Sequence, residues 1–217
     1  MLRRRAPPVG PMSRARPSAG PSLSGNLRNL ARSRKLRLSL RDLVAPFEGQ
    51  GGLGQVLFVL ALPVLVPLPP GASMVLALPL LIVAPQIVAG RDRLWLPGWL
   101  ARRTFDRAAF TKLVGRVLPL LGRIEAFGRP RISGLTGPLG ARAVGVAATL
   151  MALVLVLPIP FANLLPALAL GLFALGLTRR DGLLVLGGYA LLGLAVAVID
   201  LGAQGVLMIV HRLVGRM

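Results

Sequence analysis

Two long apolar stretches of the chain share the same interruption by closely spaced prolines. The first covers residues 53–89 and is broken at 67–71, where the sequence is Pro-Leu-Pro-Pro-Gly. The second covers residues 143–177 and is broken at 158–160 by Pro-Ile-Pro. Apolar runs of this length are typical of membrane-spanning helices, and proline ends a helix because it lacks a backbone N–H. The pattern therefore predicts two Pro-broken helical hairpins.

The two hairpins also end alike, at Arg91-Asp92 and at Arg180-Asp181. This predicts an internal repeat, with repeat 1 at about 51–93 and repeat 2 at about 139–181. Paired interruptions at corresponding positions point to a binding or permeation site in membrane proteins built from repeats. Each stretch is slightly short for two crossings of a bilayer, so full crossings and re-entrant hairpins both remain open.

The linker between the repeats, at about 94–138, has the pattern of an amphipathic helix with a basic outer face. Trp95 and Trp99 precede it, as aromatic residues do at a membrane interface. We expect this helix to lie on the anionic cytoplasmic leaflet. The alternative is packing against another subunit or against the N-terminal tail. Its apolar positions are Phe110, Leu113, Val114, Val117, Leu118, Leu121 and Ile124.

The two ends of the chain differ in composition. Residues 1–35 are rich in Arg, Pro, Ser and Gly and are predicted to be a disordered basic tail. Residues 36–217 are predicted to form the membrane domain. The last apolar stretch, about 183–210, predicts one span from Leu183 to Ile199 and a short further helix to Val210. The predicted fold class is an all-α integral membrane protein.

Composition and charge support a membrane protein and disfavour a soluble one. Hydrophobic residues make up 54% of the chain and its mean hydropathy is +0.72. The net charge is +19, and the basic residues flank the apolar stretches. Cytoplasmic loops have this charge, so we expect a multi-pass protein with a cytoplasmic N-terminus and a lipid bilayer as partner, and no nucleic-acid partner. The sequence leaves the oligomeric state open.

Few residues are candidates for chemistry. No cysteine is present, only one histidine and seven acidic residues occur, and no phosphate-binding loop or metal-ligand spacing is found. We therefore expect no catalytic residues, no metal and no cofactor, and an enzyme is the less favoured class. The candidates that would line a polar site at the breaks are Pro67, Pro69, Pro70, Gly71, Ser73, Pro158, Pro160 and Asn163.

Charged residues give two further candidate groups. Arginine suits bidentate phosphate contact, so the hairpin ends are candidate phosphate or headgroup contacts, although ordinary cytoplasmic loops have the same charge. Asp200 lies within an apolar stretch and is a candidate intramembrane acid; the alternative is that it marks the end of a span. The candidate headgroup contacts are Arg91, Arg93, Arg179 and Arg180.

Six motifs in order resemble the ExoD family of bacterial exopolysaccharide-synthesis membrane proteins, over about residues 38–200. The Arg-rich first 35 residues fall outside the resemblance. The motifs are LPVLVPLPPGAS from residue 62, LPLL from 78, GRDRLWLP from 90, LTGPL from 135, LPIPFANLLPA from 157 and RDG from 180.

The resemblance implies a protein of the bacterial inner membrane that supports exopolysaccharide synthesis or export, and it supplies no catalytic residues. The implied role is non-enzymatic, with the polysaccharide-synthesis machinery as a partner. The alternative is a small transporter or flippase for a lipid, a lipid-linked sugar or an ion, acting at the paired breaks.

Overall fold

Helices account for nearly all of the regular structure in the computed structural model. It describes residues 23–32, 37–47, 52–65, 72–91, 93–127, 132–157 and 163–214. The α-helices are α1 (Leu23–Ala31), α2 (Leu40–Val44), α3 (Gly52–Ala61), α4 (Ala72–Val88), α5 (Gly98–Ala101), α6 (Arg107–Phe127), α7 (Pro138–Val156), α8 (Leu164–Arg179) and α9 (Gly182–Val214). Single 3-10 turns occur at Ala45–Phe47, Leu62–Leu65 and Ser133–Thr136.

The predicted all-helical class is confirmed, with one small addition. Two three-residue strands, β1 (Arg37–Ser39) and β2 (Thr104–Asp106), pair antiparallel and join the N-terminal segment to the linker. Ser39 then caps α2: its hydroxyl accepts from the Asp42 N–H at 3.1 Å, and the Asp42 carboxylate accepts from the Ser39 N–H at 3.0 Å. This reciprocal capping box satisfies backbone donors that a short helix leaves free.

Helices α3, α4, α7 and α8 form the centre of the fold as two hairpins. The most extensive contacts between the hairpins join α4 to α7 and α3 to α8, so the first helix of each hairpin packs on the second helix of the other. Helix α9 packs along α8. Because these helices are apolar on nearly every face, they bury side chains against several neighbours at once.

Close backbone contacts show that both hairpins run in the same direction. A Cβ on Gly145 of α7 would lie 2.8 Å from the Val88 backbone nitrogen, at the C-terminal end of α4. A Cβ on Gly54 of α3 would lie 3.2 Å from the Leu177 Cβ, at the C-terminal end of α8. The N-terminal ends of α3 and α7 and the C-terminal ends of α4 and α8 therefore lie at one end of the bundle.

Helix α1 corrects the sequence prediction for the N-terminal segment. It lies within residues 1–35, which were predicted to be disordered, and the prediction is wrong for Leu23–Ala31. Leu23, Leu27 and Leu30 are buried on one face, and α1 packs against α6. The amide of Asn26 donates to the Pro46 carbonyl at 3.1 Å. The tail composition concealed a short amphipathic helix whose apolar residues are spaced by three and four.

Helix α6 has the apolar face that the spacing predicts. Phe110, Leu113, Val114 and Leu121 are buried, and the other predicted apolar positions are partly buried. This face packs against α1 and against the Leu62–Leu65 turn. The structure therefore shows the alternative in which the helix packs against the N-terminal segment.

Helix α9 also differs from the prediction. Instead of a span ending at Ile199 and a separate short helix, one helix runs 33 residues from Gly182 to Val214. At 1.5 Å per residue it is about 50 Å long. The Gln204 amide donates to the Asp200 carboxylate at 2.7 Å, one turn apart, so the polar side chains bond each other without interrupting the helix.

Candidate functional site

The end of the bundle with the proline breaks is framed by helix ends that match both predicted interruptions. In the first hairpin, the 3-10 turn following α3 ends at Leu65 and α4 begins at Ala72; in the second hairpin, α7 ends at Val156 and α8 begins at Leu164. Ser73 lies in the first turn of α4 and its side chain is not described. The candidates outside the described residues are Pro67, Pro69, Pro70, Gly71, Pro158 and Pro160.

Asn163 is the candidate at this end whose side chain is described. It occupies the position before α8, where its carbonyl accepts from the Ala167 N–H at 3.1 Å. Its amide makes no capping hydrogen bond, and within the described part of the chain its Oδ1 is buried without a partner. A buried acceptor without a partner costs about 1–3 kcal/mol. A polar ligand or a water that donates a hydrogen bond to this oxygen would recover that free energy.

The opposite end of the bundle, here called the basic end, contains all four candidate arginines. Arg91, Arg93 and Arg180 are exposed, and Arg179 is half-buried. Because α4 and α8 both finish at this end, the two pairs lie on the same side of the molecule. A fifth arginine, Arg142 in the first turns of α7, joins them. Its guanidinium lies 3.8 Å from where a Cβ on Gly90 would be.

The two helices at the basic end finish with the same hydrogen-bond pattern. After α4, Gly90 has φ +63° and the Arg91 N–H donates to the Gln86 carbonyl at 3.0 Å. After α8, Arg180 has φ +53° and the Asp181 N–H donates to the Gly176 carbonyl at 3.0 Å. Both are left-handed C-caps. When the two caps are matched by their left-handed residue, Arg180 corresponds to Gly90. This is one residue away from the correspondence between Arg91 and Arg180 that the sequence suggests.

The sequence prediction missed Gln86, which organises the loop after α4. Gln86 is 7% exposed, and its amide nitrogen donates to the carbonyls of Ile82 at 2.9 Å and Trp95 at 2.8 Å. Its amide oxygen accepts from the Trp95 N–H at 2.8 Å. A polar side chain near the end of an apolar helix was the available signal, because such groups are usually hydrogen-bonded when buried.

Asp181 and Asp200 have different surroundings. Asp181 is 5% exposed, and its carboxylate accepts from the Leu183 N–H at 3.0 Å at the start of α9. Asp200 is exposed on α9 and accepts from Gln204. Within the described part of the chain, no group of three or more His, Cys, Asp or Glu side chains is placed to hold a metal ion.

Two helices among the described residues are long and apolar enough to cross a membrane, Pro138–Val156 and Gly182–Gly202. An apolar helical bundle with arginines gathered at one end is the class that this geometry defines. The sequence matches the family described as "Exopolysaccharide synthesis, ExoD" over residues 23–200. The chain belongs to the ExoD family, which is involved in exopolysaccharide synthesis.

Two relatives support this assignment. The chain is 34% identical over 178 residues to Protein ExoD of Rhizobium meliloti, which covers 77% of this chain and 72% of that protein. It is 36% identical over 137 residues to an uncharacterized protein of Synechocystis sp., covering 62% of this chain and 65% of that protein, slightly less than two thirds. No solved structure matches the chain.

The family match also begins earlier than the resemblance in the sequence motifs. The motifs start near residue 38, whereas the family match starts at residue 23, the first residue of α1. The buried leucines of α1 therefore belong to the family region.

Proposed function

We propose that this chain is a multi-pass protein of the bacterial inner membrane, with a cytoplasmic N-terminus, that supports exopolysaccharide synthesis or export without catalysing a reaction itself. The basic end of the bundle faces the cytoplasm, and the proline breaks lie toward the other side. The family assignment supplies the process, and the surface of the helices supports the location.

The observation that carries the proposal is an apolar row along α7 that no described residue covers. Val146, Leu150, Leu153 and Leu157 are each about half exposed and recur at helical spacing on one face. A soluble protein rarely leaves so continuous an apolar surface open to water. Hydrocarbon chains cover it without cost.

Helix α9 extends this surface. Its exposed large apolar residues are Leu183, Leu186, Leu194, Val196, Val198, Leu201 and Met208. Hydroxyl groups in neighbouring helices are satisfied internally: Thr149 donates to the Gly145 carbonyl and Thr178 to the Ala174 carbonyl, both at 2.7 Å. Such back-bonding removes the need for water as a partner and suits helices in lipid.

Charge supports the orientation. The basic end contains Arg91, Arg93, Arg142, Arg179 and Arg180, and cytoplasmic loops are the basic ones under the positive-inside rule. Because both hairpins begin and finish at this end, one orientation places every one of these arginines on the cytoplasmic side.

The contacts between the hairpins support an internal duplication. Exchanging α3 with α7 and α4 with α8 turns the α3–α8 packing into the α7–α4 packing. The Gly54–Leu177 approach likewise corresponds to the Gly145–Val88 approach. The two repeats then have the same orientation, as in parallel duplications.

Helix lengths favour hairpins that enter and leave on the same side. Helix α8 has 16 residues and is about 24 Å long, short of the bilayer's hydrocarbon core of about 30 Å. Helix α3 with its 3-10 turn, Gly52–Leu65, is shorter still. Helix α7 has 19 residues and is about 28 Å long, close to that thickness. We infer that both hairpins enter and leave at the basic end and reach no further than the far face of the hydrocarbon core.

Thiol labelling in intact cells tests the location and orientation. The chain contains no cysteine, so single cysteines report one site each. Arg93→Cys at the basic end should resist a membrane-impermeant reagent until the membrane is permeabilised. Arg212→Cys, near the far end of α9, should react from outside. Labelling of Arg93→Cys in intact cells would overturn the orientation, and loss of the protein from the membrane fraction would overturn the location.

Complementation tests the role. A strain lacking the gene should recover exopolysaccharide output with the wild-type protein. Pro158→Ala with Pro160→Ala should reduce output at normal membrane abundance, if the break holds a polar site around Asn163. Undiminished output would show that the break is only a turn. The matched control is Pro85→Ala near the C-terminal end of α4, which also removes a proline from a helix but lies at the basic end, away from the breaks.

A further inference from the structure

The segment that follows α4, residues 93–103, includes the short helix α5 and exposes two tryptophan side chains, while its backbone is hydrogen-bonded to Gln86. Trp95 is 58% exposed and Trp99 is 56% exposed. The Trp95 backbone is bound on both its N–H and its carbonyl by the Gln86 side chain. The Trp95 side chain is therefore exposed on a backbone that two hydrogen bonds hold in place.

The side chains on either side of the tryptophans face inward. Leu94 and Leu96, which flank Trp95, pack against the core, and Leu100 beside Trp99 is 3% exposed. Leucine side chains therefore occupy the inward positions next to both tryptophans, and both indoles remain on the outside. An indole has a large apolar ring and one N–H donor, so it is most stable where hydrocarbon meets polar headgroups.

Basic side chains surround the same loop. Arg91, Arg93, Arg102 and Arg103 are exposed. The Arg102 guanidinium lies 3.7 Å from where a Cβ on Gly98 would be, so it folds back over the first residue of α5, beside Trp99. The far end of the loop is fixed as well, because the Arg103 carbonyl accepts from the Leu40 N–H at 2.8 Å.

We propose that this Gln86-clamped tryptophan loop, residues 93–103, is a docking surface for the anionic phospholipid headgroups of the cytoplasmic leaflet. The indoles of Trp95 and Trp99 lie at the boundary between acyl chains and headgroups, and Arg93 and Arg102 contact lipid phosphates. Guanidinium groups bind phosphate bidentately, which suits this contact. Gln86 is a positioning residue that fixes the depth of the loop.

Charge complementarity selects the lipid surface over other partners. The loop contributes arginines next to indoles, and a basic surface with aromatic anchors is attracted to anionic leaflets. The proposal rests on the membrane location proposed above, because the loop is at the end of the bundle assigned to the cytoplasmic side.

Tryptophan fluorescence tests the proposal directly, because the chain has only two tryptophans. Trp95→Phe leaves Trp99 as the sole reporter, and Trp99→Phe leaves Trp95. The purified full chain is placed in vesicles of phosphatidylglycerol or phosphatidylcholine containing brominated acyl chains. For both indoles we expect bromines near the headgroup to quench about twofold more strongly than bromines near the chain end, as interfacial residues do.

Two sets of variants separate the parts of the surface. We expect the indoles to be quenched more strongly in phosphatidylglycerol than in phosphatidylcholine vesicles. Arg93→Gln with Arg102→Gln should remove this difference. Arg116→Gln with Arg123→Gln, the same charge change on the exposed face of α6, should leave it unchanged. Gln86→Leu should lower the fluorescence anisotropy of Trp95 and broaden the distribution of depths at which its indole lies in the bilayer. Gln86→Glu, which keeps an acceptor for the Trp95 N–H, should have a smaller effect.

The outcomes distinguish this proposal from the broader one. Protein that floats with vesicles while both indoles remain unquenched overturns the docking surface, since the loop then faces water or a protein partner. Equal quenching in both lipids overturns the headgroup selectivity. Protein that does not float with vesicles at all overturns the membrane location itself.

Discussion

Helix α3 of the first hairpin is buried along nearly its whole length, whereas helix α7 of the second leaves a row of valine and leucine side chains exposed. Helix α3 has α4 and α8 against its sides, while α2 and the Ala45–Phe47 turn cover its start. Helix α6 lies against the Leu62–Leu65 turn at its other end. Helix α7 has α4 and α8 as its main neighbours. Both helices contact α4 and α8, so the difference comes from the segments that pack on them from outside the two hairpins.

This comparison shows what the N-terminal segment and the linker do. Helix α6 packs on the Leu62–Leu65 turn at the end of α3 and on α1, while Met74 and Val75 of α4 stay exposed. The second hairpin receives α9 instead, which packs on α8 and leaves α7 open. The first hairpin thus buries α3 almost completely, whereas α7 of the second hairpin keeps an apolar row that no described residue covers.

Removing α1 is expected to have the largest effect on this arrangement. A chain starting at Arg32 loses the burial of Leu23, Leu27 and Leu30, and burying leucines stabilises by about 1.5–3 kcal/mol each. We expect aggregation or a loss of roughly 5 kcal/mol, seen as a much lower melting temperature in mild detergent. A chain starting at Leu23 is the matched control and should melt like the full chain. Equal behaviour of the two truncations would show that α1 does not stabilise the protein.

Leucine truncation compares the two hairpins directly. Leu57→Ala in α3 removes a fully buried side chain and should cost about 2–5 kcal/mol. Leu153→Ala in α7, where the side chain is 52% exposed, should change stability by only about 0.5 kcal/mol. Thermal unfolding of both variants in the same detergent measures the difference. Similar losses would mean that a partner covers α7 as completely as protein covers α3.

The paired glycines test the equivalence of the hairpin contacts. Gly145→Ala places a methyl group against the Val88 backbone, which cannot move aside easily, and should cost about 1–3 kcal/mol. Gly54→Ala meets chiefly the Thr178 and Leu177 side chains at 3.0 and 3.2 Å and should cost less. Gly193→Ala, with nothing within 4 Å, is the control. If neither paired variant melts lower than the control, the close approach is not required.

The helix ends should give the smallest effect, and they differ in sign. Arg180→Gly relieves a left-handed conformation that costs other residues about 1–2 kcal/mol, so it should raise stability slightly. Gly90→Ala introduces the same strain after α4 and should lower it. Measuring exopolysaccharide output beside melting temperature separates the roles of Arg180. A more stable Arg180→Gly protein with reduced output would show that the arginine side chain has a functional role.

The positions of the helices could largely be predicted from the sequence. The closely spaced prolines at 67–70 and 158–160 mark where the first helix of each hairpin gives way to the second, whereas Pro79 and Pro85 lie inside α4 without ending it. The apolar spacing from Phe110 to Ile124 predicted the inner face of α6 correctly. The resemblance in the motifs led to the right family, which the match over residues 23–200 establishes.

Other features depended on packing or on hydrogen bonds that the hydrophobic pattern does not show. Helix α1 was missed because its burial depends on α6, nearly a hundred residues away, and local composition is that of a tail. Gln86 was missed because its partner is the backbone of Trp95, which nothing in the sequence marks. The continuity of α9 through Asp200 was misjudged because the Gln204 bond satisfies the carboxylate within the helix.

The sequence by itself therefore determined that this protein is helical, apolar and basic at the hairpin ends, since these follow from local composition and from the period of the pattern. Only the tertiary structure decided which apolar faces are covered by other helices and which stay exposed. Burial is a property of what packs on a helix. Two hairpins of similar composition can thus differ in how much of their apolar surface is buried.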